Sequence, residues 1–252
     1  MKDKDNIVKV GAIIQARTGS TRLPNKVFAK ILGKPLLWHI YNRITYSKLI
    51  DTIIIATTDK KEDDIIEVWA NENNVLIYRG DENDVLSRFY NAAFANNIDI
   101  IVRVTADDPF KDPILIDEAI IELVNKNLNF VFNNNPPTFP EGLDVEIFDF
   151  NSLKTANNES TSLFEREHVT QYFFKNLERF KHINLTSTDN YSSLRWTIDT
   201  SYDLKMTEIV YESLYKKNQI FLYQDILNLI KQKPHIAKIN SNIERSDMYK
   251  NL

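Results

Sequence analysis

The 252-residue sequence contains no cysteine. That excludes disulfides, a thiol nucleophile and cysteine-ligated zinc. Glycine is scarce, with five residues where an ordinary chain carries about 7%. Each of Gly11, Gly19, Gly33, Gly80 and Gly142 is therefore expected to hold a backbone conformation that a side chain would forbid. No basic surplus exists: 31 Lys and Arg against 35 Asp and Glu give a net charge of −4, which argues against nucleic acid as the main partner. No apolar run approaches membrane-spanning length, and the opening "MKDKDN" has no apolar signal-peptide region. The expectation is a cytoplasmic protein without a membrane partner. What is present is ordinary: 43% hydrophobic and 26% charged residues, enough for a sizeable core.

The first half alternates short β-branched runs with amphipathic stretches. Strands are expected at 10–16, 51–58, 75–78 and 99–106, and helices at 34–44, 61–73, 83–97 and 112–126. Continuous Ile/Val strands separated by helices imply a mostly parallel sheet covered on both faces, an α/β fold with right-handed crossovers. The second half is less regular. It suggests strands at 129–134 and 193–199, a half-exposed strand at 143–150, and helices at 165–177, 201–217 and 223–233. No repeat or linker interrupts the chain. It reads as one domain over 1–252, with a nucleotide-binding half at about 8–126 and an acceptor-binding insertion at about 127–240.

Ligands of an open parallel sheet sit at the carboxyl ends of its strands. The loop "QARTGSTRLPNK" (15–26) follows the first strand and holds Arg17, Arg22 and Lys26 without a single acid. Ser20, Thr21 and the backbone N–H groups around Gly19 add neutral donors, as in an anion nest. Arginine offers bidentate contacts to phosphate and lysine a point charge. A polyphosphate is the natural guest, although charged loops of this kind are often only solvated. The loop is neither a Walker A sequence nor a Rossmann glycine fingerprint.

With "LGKPLLWHI" after it, this loop resembles the opening of the cytidylyltransferases that activate acidic sugars, the CMP-ketodeoxyoctonate and CMP-acylneuraminate synthetases. It is still more similar to their spore-coat polysaccharide relatives of the SpsF type. "IIIATTDKKEDD", "YRGDENDVLSRFYNAA", "VRVTADDPFKDPILID", "NNNPPTFPEGLDVEIF", "EREHVTQYF" and "RWTIDTSYDL" continue the likeness in order, from about residue 8 to residue 240. The resemblance implies a Rossmann-like nucleotidyltransferase fold, GT-A-like in outline, with CTP as the nucleotide. It makes Gln15, Ala16, Arg17, Ser20, Arg22 and Lys26 nucleotide ligands, with Arg17 and Lys26 also catalytic. Further nucleotide contacts are implied at Arg79, Gly80, Asp81 and Asp84, although Asp84 reads equally well as a helix cap.

Nucleotidyl transfer joins highly anionic reactants, so an enzyme must chiefly position them and neutralise charge. Mg²⁺ needs one or two protein carboxylates beside phosphate oxygens and water. Asp107 and Asp108 follow the fourth strand, and Asp199 follows the expected strand at 193–199. The resemblance assigns the metal to Asp107 and Asp199, with Asp107 counted as catalytic. It also reveals a departure: Ala106 stands where SpsF-type relatives tend to carry glycine. Asp112, Asp117 and Asp203 are better read as helix caps.

The acceptor is expected against the second half. There Glu141, Asp144, Arg166, Glu167 and His168 are the candidate ligands. An arginine can clamp a carboxylate or phosphate, and His168 or Asp144 can accept a hydroxyl proton. A structural Arg–Glu pair at the start of a helix is the competing reading. The function expected is a Mg²⁺-dependent cytidylyltransferase joining CMP to an acidic sugar or related acceptor, with release of pyrophosphate, in surface polysaccharide biosynthesis. Alternatives are a glycosyltransferase with a nucleotide-sugar donor and a non-catalytic nucleotide-binding module. A homodimer is compatible with the apolar segments "FFKNLERF" and "IFLYQDIL", which serve equally well as core.

Overall fold

A computed structural model describes residues 8–244, so the polar opening "MKDKDN" lies outside it. In chain order the first half contains β1 (Val10–Gln15), β2 (Lys30–Ile31), β3 (Lys34–Pro35), α1 (Leu36–Ile44), β4 (Thr52–Thr58), α2 (Asp64–Glu72), β5 (Leu76–Gly80), α3 (Val85–Ala95), β6 (Ile100–Thr105) and α4 (Pro113–Asn125). The second half adds β7 (Phe130–Phe132), β8 (Glu146–Asp149), α5 (Phe150–Glu159), α6 (Leu163–Glu167), α7 (Gln171–Lys175), β9 (His182–Asn184), α8 (Ser201–Leu214), α9 (Tyr223–Gln232) and α10 (His235–Lys238).

The expected mostly parallel sheet is present as a seven-stranded sheet in the order β5-β4-β1-β6-β8-β7-β9. Among the described residues, β8 alone runs against the other strands. Period-two alternation sends neighbouring side chains to opposite faces. Ala12, Ile14, Val102 and Val104 enter one core with α1, α2, α4, α8 and α9. Ile13, Ile54, Ala56 and Ile101 enter the other, against α3, α5 and α7. The result is three layers with the sheet in the middle.

The scarcity of glycine has a concrete counterpart. The residues just past α2, α3 and α4 are Asn74, Asn97 and Asn127, all with left-handed φ near 50°. Each turn closes with paired bonds back into the helix. Val75 N–H reaches Ala70 O at 2.9 Å, Ile98 reaches Ala93 O at 3.0 Å and Leu128 reaches Leu123 O at 2.9 Å. These are Schellman ends with asparagine where glycine is usual, because its short polar side chain tolerates that conformation. The backbone expectation for glycine holds at Gly33 (φ 78°), in the turn of the β2–β3 hairpin, and at Gly142 (φ 93°). A positive φ is not found at Gly11, Gly19 or Gly80.

Several expectations for the second half need correction. Residues 193–199 do not form a strand; one bridge, Glu141 to Arg195, joins them to the segment beside them. The strand expected at 143–150 begins only at Glu146 and is not half-exposed. Its polar residue Glu146 is buried because it lies directly opposite Arg103 of β6 and pairs with it. Phe150 starts α5 instead of continuing the strand, with Asp149 as N-cap accepting from Ser152 N–H at 2.8 Å. The helix expected at 165–177 is broken into α6 and α7 by Val169, whose φ is +33°. In "FFKNLERF" and "IFLYQDIL", Phe173, Phe180, Phe221, Ile226 and Leu227 are buried and serve the core.

Candidate active site

A cleft of about 380 Å³ opens at the carboxyl ends of β1 and β6. Its walls come from the loop after β1, the turn after β6, the segment 141–146, residues 167 and 168 in the break after α6, and residues 197–199. Among the described residues, no helix is long and apolar enough to cross a membrane.

The loop after β1 is shaped by contacts that its own composition does not reveal. Asp63, fully buried, accepts from Thr18 N–H and Thr18 Oγ1–H, each at 2.7 Å, and from the Thr58 hydroxyl. Thr18 O in turn accepts from Ser20 N–H at 2.8 Å and Asn25 N–H at 3.1 Å. With the hairpin of the loop pinned at its base, Arg17, Ser20, Arg22 and Lys26 all line the cleft. Asp63 is therefore a positioning residue that sequence reasoning left inside a helix.

The three cations differ in setting. Arg17 lies half-exposed across the mouth, loosely paired with Glu82 at 3.5 Å and Glu167 at 3.8 Å. Arg22 reaches Asp199 Oδ2 at 3.0 Å. Lys26 sits deeper. Its Nζ donates to Asp107 Oδ2, Asp199 Oδ1 and Ile198 O, each at 2.9 Å. Residues separated by 81 and 173 positions thus meet at one ammonium. Burial opposes the charge on Lys26, but the two carboxylates outweigh it and hold its pKa above the ordinary lysine value. Burial likewise opposes ionisation of Asp107, and Lys26 overrides it, so that carboxyl is held below the usual range.

Asp108 faces a different partner. It accepts from Thr105 Oγ1–H at 2.6 Å and pairs with Lys111 at 2.8 Å. Burial and the adjacent Asp107 charge push its pKa up despite Lys111. Ala106 keeps φ out of the left-handed region, so no glycine is needed there. Asp112 caps α4 as expected, accepting from Ile114 and Leu115 N–H. Asp117 instead ties down the turn after α1, through Ser47 Oγ–H at 2.5 Å and Lys48 N–H at 2.9 Å.

Glu141, Asp144, Glu167 and His168 line the cleft as well. The buried Glu141 pairs with Arg195 Nη1 at 2.8 Å. His168 is turned toward the cleft by the break after α6, its ring edge-on to Phe164 with centroids 4.7 Å apart. Burial, followed by the positive charges of Arg103 and Arg17, holds its imidazole below the ordinary histidine pKa despite Glu167.

The structure brings other expected site residues elsewhere. Arg79 does not line the cleft. It is engaged by Glu67 at 2.6 Å, Asp64 at 2.8 Å and the carbonyls of Thr58 and Lys60, which places it against the start of α2. Gly80 and Asp81 also lie off the cleft; Asp81 accepts from Asn83 N–H at 2.7 Å in a tight turn. Asp84 is the N-cap of α3 and receives a two-pronged contact from Arg166, at 2.8 and 2.6 Å. That pair welds α3 to α6, and Arg166 does not line the cleft. Arg88, Arg103, Thr105, Lys111 and Thr197 line the cleft unforeseen. The available signal was a charge inside an apolar run, as in "IIVRVT": a buried arginine requires a partner.

The sequence model of a family described as cytidylyltransferase matches residues 11–234. The chain belongs to the cytidylyltransferase family. This cytidylyltransferase is 38% identical over 242 residues to an uncharacterised protein of Methanocaldococcus jannaschii, covering 94% of this chain and 97% of that one. It is 30% identical over 238 residues to the spore coat polysaccharide biosynthesis protein SpsF of Bacillus subtilis, covering 89% and 95%. A cytidylyltransferase structure from Leptospira borgpetersenii superposes with a TM-score of 0.87 at 33% identity, covering 95% and 99%. The chain is thus a nucleotidyltransferase with the fold of its family.

Proposed function

We propose that this cytidylyltransferase transfers CMP from CTP to a hydroxyl of an acidic sugar or related acceptor, releasing pyrophosphate, in surface polysaccharide biosynthesis. The observation that carries this reading is the meeting of Lys26 with Asp107 and Asp199, in one cleft with Arg17 and Arg22. Side chains of both signs around a common point suit a triphosphate that arrives with a divalent cation.

The donor set fits Mg²⁺. Asp107 and Asp199 present hard carboxylate oxygens to one shared cation, now the Lys26 ammonium, and two carboxylates are what Mg²⁺ takes beside phosphate oxygens. Among the described residues no group of three or more acidic, histidine or cysteine ligands forms a complete protein cage. When bound, the ion would neutralise charge on the transferring phosphoryl group. Lys26 and Arg22 exchange their carboxylate contacts for phosphate oxygens, and Arg17 closes on the same chain from the mouth.

The acceptor hydroxyl oxygen attacks the α-phosphorus and forms a new P–O bond. The bond from the α-phosphorus to its bridging oxygen breaks, and pyrophosphate leaves with that electron pair. His168 accepts the hydroxyl proton. What supports this role is its place in the cleft lining and an imidazole whose pKa its surroundings hold low.

The test is pyrophosphate release with each of the four nucleoside triphosphates, Mg²⁺ and a panel of acidic sugars and alditol phosphates. Release with CTP alone among the nucleotides, dependent on one acceptor class, is expected. No release with any acceptor, together with binding of a nucleotide sugar but not CTP, would reject the reading in favour of glycosyl transfer.

A further inference from the structure

Arg195 was not a candidate on sequence grounds, and it does not line the cleft. It is buried, and its guanidinium meets a carboxylate on each of three edges. Nη1 reaches Glu141 Oε2 at 2.8 Å, Nη2 reaches Asp199 Oδ2 at 2.7 Å and Nε reaches Asp203 Oδ1 at 3.0 Å. Glu141 and Asp199 both line the cleft, and Asp199 also holds Lys26.

The surroundings make this three-way contact rigid. Asp203 is wholly buried; its other oxygen accepts from Asp199 N–H at 3.1 Å and Thr200 N–H at 2.9 Å, capping α8. Asn240 donates to Asp203 Oδ1 at 2.9 Å and to Arg195 O at 3.0 Å. On the acceptor side, Glu141 N–H bonds Leu194 O at 2.9 Å and Trp196 N–H bonds Glu141 O at 2.7 Å. Gly142 then passes so close that a Cβ there would lie 2.6 Å from Thr197 N. The segments 141–142 and 195–199 are therefore tied together, with Arg195 as the joint.

Asp203 and Glu141 engage two edges of the guanidinium from buried positions. The third contact falls on the oxygen of Asp199 that Arg22 also touches, while Lys26 holds the other oxygen. We propose that Arg195 is a positioning residue that fixes the carboxylate of Asp199 for cation binding and couples its orientation to the seating of the acceptor-side segment at Glu141. This rests on the reading of Asp199 as a metal ligand. A planar fork with donors fixed on three edges holds three divergent carboxylates in one geometry, which the rotatable donors of an ammonium do not.

The experiment measures Mn²⁺ binding by electron paramagnetic resonance on the full chain with saturating CTP and no acceptor, for Arg195→Lys, Asp199→Asn and the double variant. Melting temperature serves as the check on folding. Arg195→Lys is expected to weaken Mn²⁺ binding about tenfold, and to add nothing further in the Asp199→Asn background, since coupled residues are non-additive. Full additivity, or unchanged Mn²⁺ binding in Arg195→Lys while Asp199→Asn loosens it, overturns the proposal alone. Unchanged binding in Asp199→Asn removes the metal reading, and the proposal with it. Should the arginine variants fail to fold, Glu141→Gln carries the test. It is expected to weaken Mn²⁺ binding about threefold through the shared arginine, and no change there overturns the coupling.

Discussion

At the scale of single residues, charge in this protein is governed by partners. Lys26 keeps its proton although it is buried, because two carboxylates converge on it; His168 gives its proton up because burial and nearby cations oppose it. The second fact has a kinetic consequence with a definite sign. A base must be unprotonated, so turnover rises with pH as His168 loses its proton, and its lowered pKa sets that rise below the ordinary histidine value of about 6.5. Measured kcat/KM for pyrophosphate release is expected to be flat from neutral pH upward and to fall on acidification below that value. In His168→Gln the plateau drops by about 10²-fold or more, typical of a lost general base, and the acid limb attributable to the imidazole disappears. A retained limb with an unchanged plateau would exclude His168 as the base.

At the scale of elements, helix ends and one close crossing carry much of the specification. Asn97 occupies a left-handed position after α3, which glycine accepts freely and alanine does not. Asn97→Ala is expected to destabilise the fold by about 1 kcal/mol, and Asn97→Gly to be neutral or slightly stabilising. Chemical denaturation of the two variants checks this, and equal effects would contradict it. Gly142→Ala meets both a left-handed φ and the Thr197 backbone, so a loss of about 2 kcal/mol or more is expected in the same measurement.

The elements also show what the sequence could reveal. Ile/Val runs made β1, β4 and β6 legible, because central parallel strands are apolar on both faces. The loop after β1 was legible as a cationic segment at a strand's carboxyl end. Its tether, Asp63, was not, since nothing local distinguishes a carboxylate pointing back into a loop from one capping a helix. Arg79, Asp84 and Arg166 misled for a related reason. Their partners come from elements that only the folded sheet brings alongside, and those partners satisfy them away from the cleft. In "LDVEIFDF" alternation suggested solvent exposure, whereas the register of β6 against β8 supplied Glu146 with Arg103. Only the register could distinguish the two.

At the scale of the whole molecule, the sheet acts as a rim on which distant segments assemble one charged cleft. The loop after β1 brings cations, the turn after β6 brings Asp107, and the start of α8 brings Asp199 through a network centred on Arg195. The cationic loop belongs to the regular half of the chain, and Glu141, Asp144, Glu167, His168 and Asp199 to the irregular half. Strands shared across β6 and β8 hold the two together. The central claim is that this cleft recognises a chain of phosphates through Lys26 and its neighbours. Calorimetric titration of CTP and of CMP, with Mg²⁺, into the protein and its Lys26→Met variant tests it most directly. CTP is expected to bind at least about tenfold tighter than CMP to the unaltered protein, with most of that advantage lost in Lys26→Met, because charge-assisted contacts to the outer phosphates make the difference. Equal affinities for the two nucleotides, or a CTP preference untouched by removing Lys26, would contradict the account.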